Sequence, residues 1–230
     1  KKRLSKRHAA TSLEEYKEAG YLDSAILNTL ARLGWSKGEN EVFYLKDLIK
    51  DFEITEVQKA GAIFDITKLE YLNGQHMANL SHEDFLIAIR PFIDEINIDL
   101  NTHSKKDLLI EAMRSSATTL KGVAANLLCY FDDVKTYNQK AIDKFIGNSD
   151  KILVDLKKRI HDLETWDESS LDNLLLKYRE ENNLPVPKVN QPIRIALTGS
   201  TNSPSLGTTL YLFNKEEVIT RINNLIDYIH

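Results

Sequence analysis

Cysteine is nearly missing from this sequence. Cys129 stands alone among 230 residues, so no internal disulfide can form, and the chain suits a reducing compartment. The residue lies in the apolar run NLLCYF, the setting of a buried structural thiol rather than a nucleophile. No run of about 18 apolar residues exists, which excludes a membrane-spanning helix, and no apolar core of signal-peptide type follows the basic stretch KKRLSKR. The nine glycines are scattered, so no phosphate-cradling loop can be read. The six histidines include no i, i+4 pair with a ligand-like partner, so no metal signature is present. Asp94–Glu95 and Asp132–Asp133 are adjacent acidic pairs, and adjacent helical residues diverge, so neither makes a two-carboxylate site. Internal repeats and low-complexity tracts are absent.

What remains is a soluble, globular composition: 42% hydrophobic, 28% charged, with a formal net charge of −4. The length fits one large domain or two modest ones. A mildly acidic balance argues against non-specific coating of nucleic acid, but local basic patches can still bind phosphate. Such patches occur in the first seven residues, at Lys105–Lys106 and at Lys157–Lys158–Arg159. The last two read as solvated helix faces.

The periodicity predicts an all-α fold in two helical subdomains. Ser12 followed by Glu15 has capping-box spacing. Asp23 is expected to cap a second helix ended by Gly34. YLKDLIKDF and ITKLEYLNGQHMANL read as helices, the second weakened in its middle by Asn73–Gly74, and SHEDFLIAIRPF starts at a serine cap and should end near Pro91. The turn-rich stretch DEINIDLNTHSKK then sets a boundary near residue 97, giving domains 1–96 and 97–230. Beyond it, four apolar stripes (from Leu120, Ile152, Leu171 and Val218) read as core faces of helices. Four of the five prolines fall in LPVPKVNQPIRIALTGSTNSPSLGTTL. This segment is expected to run as an extended connection, with at most a short strand near 193–197, followed by a polar loop of the kind that carries function.

Arg3-Leu4-Ser5-Lys6-Arg7 resembles the K-M-S-K-S loop of class I aminoacyl-tRNA synthetases in its glutamyl K-L-S-K-R form. Three further segments resemble the same family in order: KRHAATSLEEYKEAGYLDSAILNTLARLGWS, AIFDITKLEYLNGQHM and IRIALTGSTNSPSLGTTLYLFNKEEVITRI. The resemblance implies the C-terminal half of a bacterial glutamyl-tRNA synthetase. A basic loop at the first residues, with no initiator Met, fits a fragment whose partner is the N-terminal Rossmann-type catalytic domain of the same protein.

On that reading the parent would activate glutamate with ATP and Mg²⁺ and transfer it to tRNA(Glu) in the cytoplasm. The fragment alone would be inactive and would hold no cofactor or metal. Arg3, Leu4, Ser5, Lys6 and Arg7 would form the ATP-binding loop, with Lys6 contacting the ATP phosphates in the transition state and Ser5 and Arg7 shaping the loop, and residues 1–8 are expected to be mobile without their partners. Residues 1–96 would carry the loop and the helical stem-contact domain, and 97–230 the α-helical anticodon-binding domain. The candidate tRNA contacts are Thr118, Arg194, Thr198, Gly199, Ser200, Ser205 and Leu206, since unstacked anticodon bases are read by loops. Arg194 can pair with a phosphate or with a neighbouring carboxylate. The chain departs from the family pattern at Arg3, Ala9, Tyr71 and His76. Thr118 stands where many relatives carry Arg, which implies relaxed reading that would admit tRNA(Gln). Two other readings compete: a helical protein–protein interaction module, and a synthetase paralogue acting on a free nucleotide or a modified tRNA base. tRNA binding separates the first, and activity of the intact parent separates the second.

Overall fold

The computed structural model describes residues 12–58, 63–147 and 150–230. The Arg3–Arg7 loop with Lys6, and the mobility expected of residues 1–8, lie outside the described residues. Among the described residues every regular element is helical and there is no strand. In chain order the helices are α1 (Leu13–Glu18), α2 (Asp23–Arg32), α3 (Leu45–Asp51), α4 (Ile66–Ala78), α5 (His82–Glu95), α6 (Lys106–Met113) and α7 (Leu120–Leu127). They continue with α8 (Gln139–Ala141, extended by a π turn over Ile142–Ile146), α9 (Asp150–His161), α10 (Glu168–Asn182), α11 (Val186–Thr198), α12 (Leu206–Leu212) and α13 (Lys215–Ile229). The chain forms two compact units, residues 1–97 with 117–125, and residues 98–116 with 126–230.

In the first unit α2 packs on α4. The Ser12 Oγ accepts the Glu15 N–H at 3.2 Å and starts α1. Asp23 does not cap α2. It is the first helical residue, and Leu22 holds the cap position. The Leu22 N–H instead donates to the Asn73 Oδ1 at 2.8 Å. Asn73 is fully buried, and its amide also donates to the Thr118 carbonyl at 2.6 Å and the Gly20 carbonyl at 3.4 Å. The residue that weakens α4 by propensity is therefore the polar tie that joins α4 to the start of α2 and to residues 117–125. Gly20 completes the tie. Its φ is +89, its carbonyl accepts the Leu120 N–H at 2.9 Å, and a Cβ there would collide with the Lys121 backbone. Only glycine meets both demands.

A second buried polar group sits nearby. Asn28 Oδ1 accepts the Phe43 N–H at 2.9 Å and contacts the His76 Nε2 at 3.0 Å. His76, where the family pattern has Tyr, is thus core, and burial lowers its pKa. Helix α5 begins at Ser81, whose Oγ accepts the Asp84 N–H at 3.0 Å, but it does not end near Pro91. It runs to Glu95. The carbonyl that Pro91 leaves free belongs to Ile87, and both residues are exposed, so water can satisfy it. The left-handed Asn97, φ 55, follows the helix end.

In the second unit α13 packs on α9 and α11, and α12 on α10. Leu153, Leu156, Ile160, Leu171, Leu175, Tyr178, Val218, Ile222 and Leu225 are buried, as the apolar stripes require. Asn214 and Glu217 cap α13 reciprocally, at 2.8 and 3.4 Å. The extended reading of 184–198 is corrected: this stretch is α11, and Ile193–Leu197 is helix, not strand. Pro185 is the cap residue and Pro187 lies in the first turn, where an N–H has no helical partner. Pro192 frees only the carbonyl of exposed Lys188. Burial of Val189, Ile193, Ala196 and Leu197 on a helical face outweighs the prolines' propensity cost. Cys129 is half-buried, and desolvation pushes its thiol up to about 12, so it is inert as a nucleophile.

Candidate functional site

The loop between α11 and α12 is held from both ends. Gly199 stops α11 with φ +72. A Cβ there would come within 2.9 Å of the Thr136 carbonyl and of Val134 Cγ1, while the Gly199 carbonyl accepts the Asn138 N–H at 2.9 Å. Residue 199 therefore has to be glycine for two independent reasons. Beneath this end lies Arg221, 3% exposed. Its Nη1 donates to the Leu197 carbonyl at 2.9 Å and its Nη2 to the Asp132 carbonyl at 3.0 Å, with the guanidinium 4.6 Å over the Phe213 ring. One buried cation thus fixes both the end of α11 and the strip of chain that backs Gly199.

Arg194 holds the other end. Its Nε donates to Ser203 Oγ at 2.7 Å and its Nη2 to the Pro204 carbonyl at 3.1 Å, so in this structure its guanidinium braces the loop. Desolvation lowers its pKa. Between the ends the loop bonds to itself. Thr198 Oγ1 donates to the Arg194 carbonyl at 2.9 Å, and the Asn202 N–H donates to Ser200 Oγ at 3.1 Å. Ser205 Oγ accepts the Thr208 N–H at 3.1 Å and caps α12. Asn202 Nδ2 donates to the Ser116 carbonyl at 2.9 Å, which Asn126 Nδ2 also reaches at 3.0 Å.

Of the residues singled out in the sequence, Arg194, Thr198, Gly199, Ser200, Ser205 and Leu206 come together here. Gly199 and Leu206 are buried, Arg194, Thr198 and Ser200 are half-buried, and Ser205 is exposed. The loop's most open groups, Thr201 and Asn202, were inside the segment but not singled out. Arg221 was missed altogether, since it sits beside an ordinary apolar stripe and nothing in the spacing marks it. Residues 195–214 carry no Asp, Glu, Lys, Arg or His. The guanidinium groups of Arg194 and Arg221 lie behind the loop, and the Asp172 carboxylate sits against Gly207 just past its end. The surface so made is neutral, rigid and rich in donors and acceptors.

Thr118 belongs to the first unit. Its side chain is exposed, and its carbonyl is the one Asn73 holds. Several members of the basic patches bond within the protein: Lys105 Nζ donates to the Tyr211 carbonyl at 2.6 Å, Lys157 Nζ to Asn223 Oδ1 at 2.8 Å, and Arg159 pairs with Glu181 at 2.6 Å, while Lys158 is exposed. Among the described residues no group of three His, Cys, Asp or Glu is placed to hold a metal ion. No described helix is long and apolar enough to cross a membrane.

Residues 77–226 match the profile of a family described as an anticodon binding domain. The chain belongs to the anticodon-binding domain family. Residues 1–71, ahead of that domain, match a second family, the catalytic domain of class I (E and Q) tRNA synthetases. Similar relatives include glutamate–tRNA ligase 1 of Campylobacter hominis, 36% identical over 98% of this chain and 48% of the relative. Glutamate–tRNA ligase 2 of Coxiella burnetii is 31% identical over 100% of this chain and 49% of the relative. A crystal structure of a glutamate tRNA ligase from Elizabethkingia meningosepticum superposes with a TM-score of 0.76 at 28% identity, covering 94% of this chain and 43% of that one. The chain spans about half the length of the curated relatives it matches, and the 198–206 loop lies inside its anticodon-binding match.

Proposed function

We propose that this chain is the tRNA-docking part of a glutamate–tRNA ligase, and that the 198–206 loop reads anticodon bases. The observation that carries the reading is the position of this loop inside the anticodon-binding match. The geometry supports it. Splayed bases are recognised by stacking and by hydrogen bonds on their edges, and a neutral loop with Thr201, Asn202 and Ser205 exposed on a fixed frame offers such bonds without ordering cost. The backbone-phosphate attraction would come from elsewhere on the surface, since the loop itself carries no charge.

The relatives support a wider reading of the whole protein. The parent would be a cytoplasmic ATP- and Mg²⁺-dependent ligase that joins glutamate to tRNA(Glu), with Lys6 of the Arg3–Arg7 loop acting on the ATP phosphates. This chain would do no chemistry without the remaining catalytic domain. Domains 1–96 and 97–230 would dock the stem and the anticodon respectively. Thr118, a short hydroxyl side chain where an arginine fork could pick out one base, supports reading that also admits tRNA(Gln).

Binding of the chain to glutamate, glutamine and unrelated tRNA transcripts, titrated against salt, tests this. Preference for the first two, weakening with salt, and loss on Asn202→Ala and Ser205→Ala are expected. Equal binding to the unrelated tRNA would refute the reading.

A further inference from the structure

The first unit contains an open cleft of about 750 Å³, within the size range of small-molecule sites, roughly 300–1,000 Å³. The turn from α1 into α2 forms one wall, the second half of α5 another, and the start of α7 the third. Tyr21, Leu22, Ala88, Phe92 and Leu120 supply its apolar lining. Tyr21 and Leu120 are buried and the other three half-buried. The two rings suit aromatic partners and cations alike.

The polar groups around this lining favour positive charge. Glu18, Asp23 and Glu95 bring three carboxylates, and Lys17 and Lys121 bring two ammonium groups. Lys17 pairs with Asp23 at 3.1 Å and Lys121 with Glu95 at 3.6 Å, so among the described residues Glu18 is left without an ion pair. Both pairs are at least half exposed. Exposed pairs contribute little, so a better-fitted cation can displace either lysine. Glu95 also closes α5, whose last turn holds no base, at the end that the helix carbonyls already make negative. The α5 wall adds an acceptor. The Ile87 carbonyl points along the helix toward Pro91, which has no N–H to give it. That oxygen opens beside Ala88 and Pro91, and both line the cleft.

We propose that this cleft binds a small organic cation, an ammonium group carried on an apolar body about the size of an aromatic side chain. The lining takes the body, and the rim carboxylates with the Ile87 carbonyl take the N–H donors. Other ligand classes fit less well. An anion, a nucleic-acid phosphate included, meets three carboxylates and a negative helix end. A bare metal ion lacks ligands, because among the described residues no three His, Cys, Asp or Glu converge to hold one. An uncharged apolar molecule gains nothing from Glu18 or from the freed carbonyl. The site is independent of the tRNA-docking reading, since none of its residues is among the candidate tRNA contacts.

The probe is phenylbutylamine, titrated into the isotope-labelled chain and followed by amide and methyl chemical shifts. Phenylbutyrate has a closely similar body with the opposite charge, and butylamine has the same charge without the ring. The amine should shift Leu22, Ala88 and Leu120, leave residues 198–206 unmoved, and bind at least tenfold more tightly than either control. Ala88→Leu, which fills the cleft, should weaken amine binding at least tenfold. Because that change can disturb packing, a second variant removes charge alone. Glu18→Gln with Glu95→Gln, both at exposed positions, should weaken binding at least fivefold. Glu180→Gln with Asp227→Asn, an equal loss of charge at exposed positions of the second unit, should leave it unchanged. Equal affinity for phenylbutyrate would overturn the proposal by showing a cleft indifferent to charge. Equal weakening by the two charge-removing pairs would overturn it as diffuse attraction to an acidic protein. Shifts that spare Leu22, Ala88 and Leu120 would place the amine elsewhere and overturn it too.

Discussion

Arg221 reaches from α13 to the Leu197 carbonyl, 2.9 Å from Nη1, and so fixes the last turn of α11 two residues before the left-handed Gly199. The same guanidinium holds the Asp132 carbonyl at 3.0 Å. Removing it strands two carbonyls and leaves a void over Phe213. Arg221→Met should therefore cost about 3 kcal/mol, measured by urea unfolding. Arg221→Lys should recover part of that, because an ammonium can reach one of the two acceptors. Amide exchange at residues 198–206 should quicken in the Met variant beyond what the global loss explains. A Met variant as stable as the wild type would show that the loop stands without this anchor.

Gly199→Ala meets two penalties at once. The left-handed φ of +72 is unfavourable for alanine, and the added methyl lies 2.9 Å from Thr136 O and Val134 Cγ1. We expect a loss of about 2 kcal/mol and weaker tRNA binding. Gly38→Ala is the control: it has φ +59 but open space around it, so it should cost less by thermal denaturation.

In the first unit the buried Asn73 amide is the keystone. Asn73→Ala leaves the Leu22 N–H and the Thr118 carbonyl without their partner, which should cost about 2–3 kcal/mol. Asn73→Asp replaces a donor with an oxygen facing the Thr118 carbonyl and should be at least as damaging. Guanidinium titration of the three proteins checks the order.

Stability should also fall in mild acid. Burial lowers the pKa of His76 below the ordinary 6.5, and desolvation, assisted by the nearby Lys105 charge and opposed by Glu217, lowers that of His103. The folded state then binds fewer protons than the unfolded state, so stability is fully present above the unfolded value of about 6.5 and is lost as pH falls from there through the lower folded values. The urea midpoint should decline between pH 7.5 and 5.5. His76→Gln should flatten part of that decline, and an unchanged slope would show that His76 does not titrate on unfolding.

How far the sequence reaches can be judged residue by residue. Helices whose apolar positions repeat every three or four residues, such as α9, α10 and α13, were legible, and so were the caps at Ser12 and Ser81. These are local signals. Asn73 was misread because propensity counts only its cost in a helix, whereas its worth lies in partners 51 and 45 residues away. The prolines of α5 and α11 were misread for a related reason. A proline destroys one hydrogen bond, and whether the freed carbonyl meets water depends on which side of the helix it falls. Among site residues, the loop itself was legible from its turn-rich composition. Arg194 was singled out as a partner for a phosphate or a carboxylate, and its role as a brace was not legible, because a bond to Ser203 depends on how the loop folds back. Arg221 left no trace in the spacing, and only the fold brings it to Leu197.

The central claim is that the loop frame set by Arg194, Gly199 and Arg221 reads an anticodon. The most direct measurement is the ratio of dissociation constants for a glutamate tRNA transcript and the same transcript with its anticodon replaced, at fixed salt. The account predicts at least a tenfold ratio for the wild-type chain, reduced to about one by Asn202→Ala combined with Ser205→Ala. A ratio of one in the wild-type chain, with tight binding to both transcripts, would contradict it.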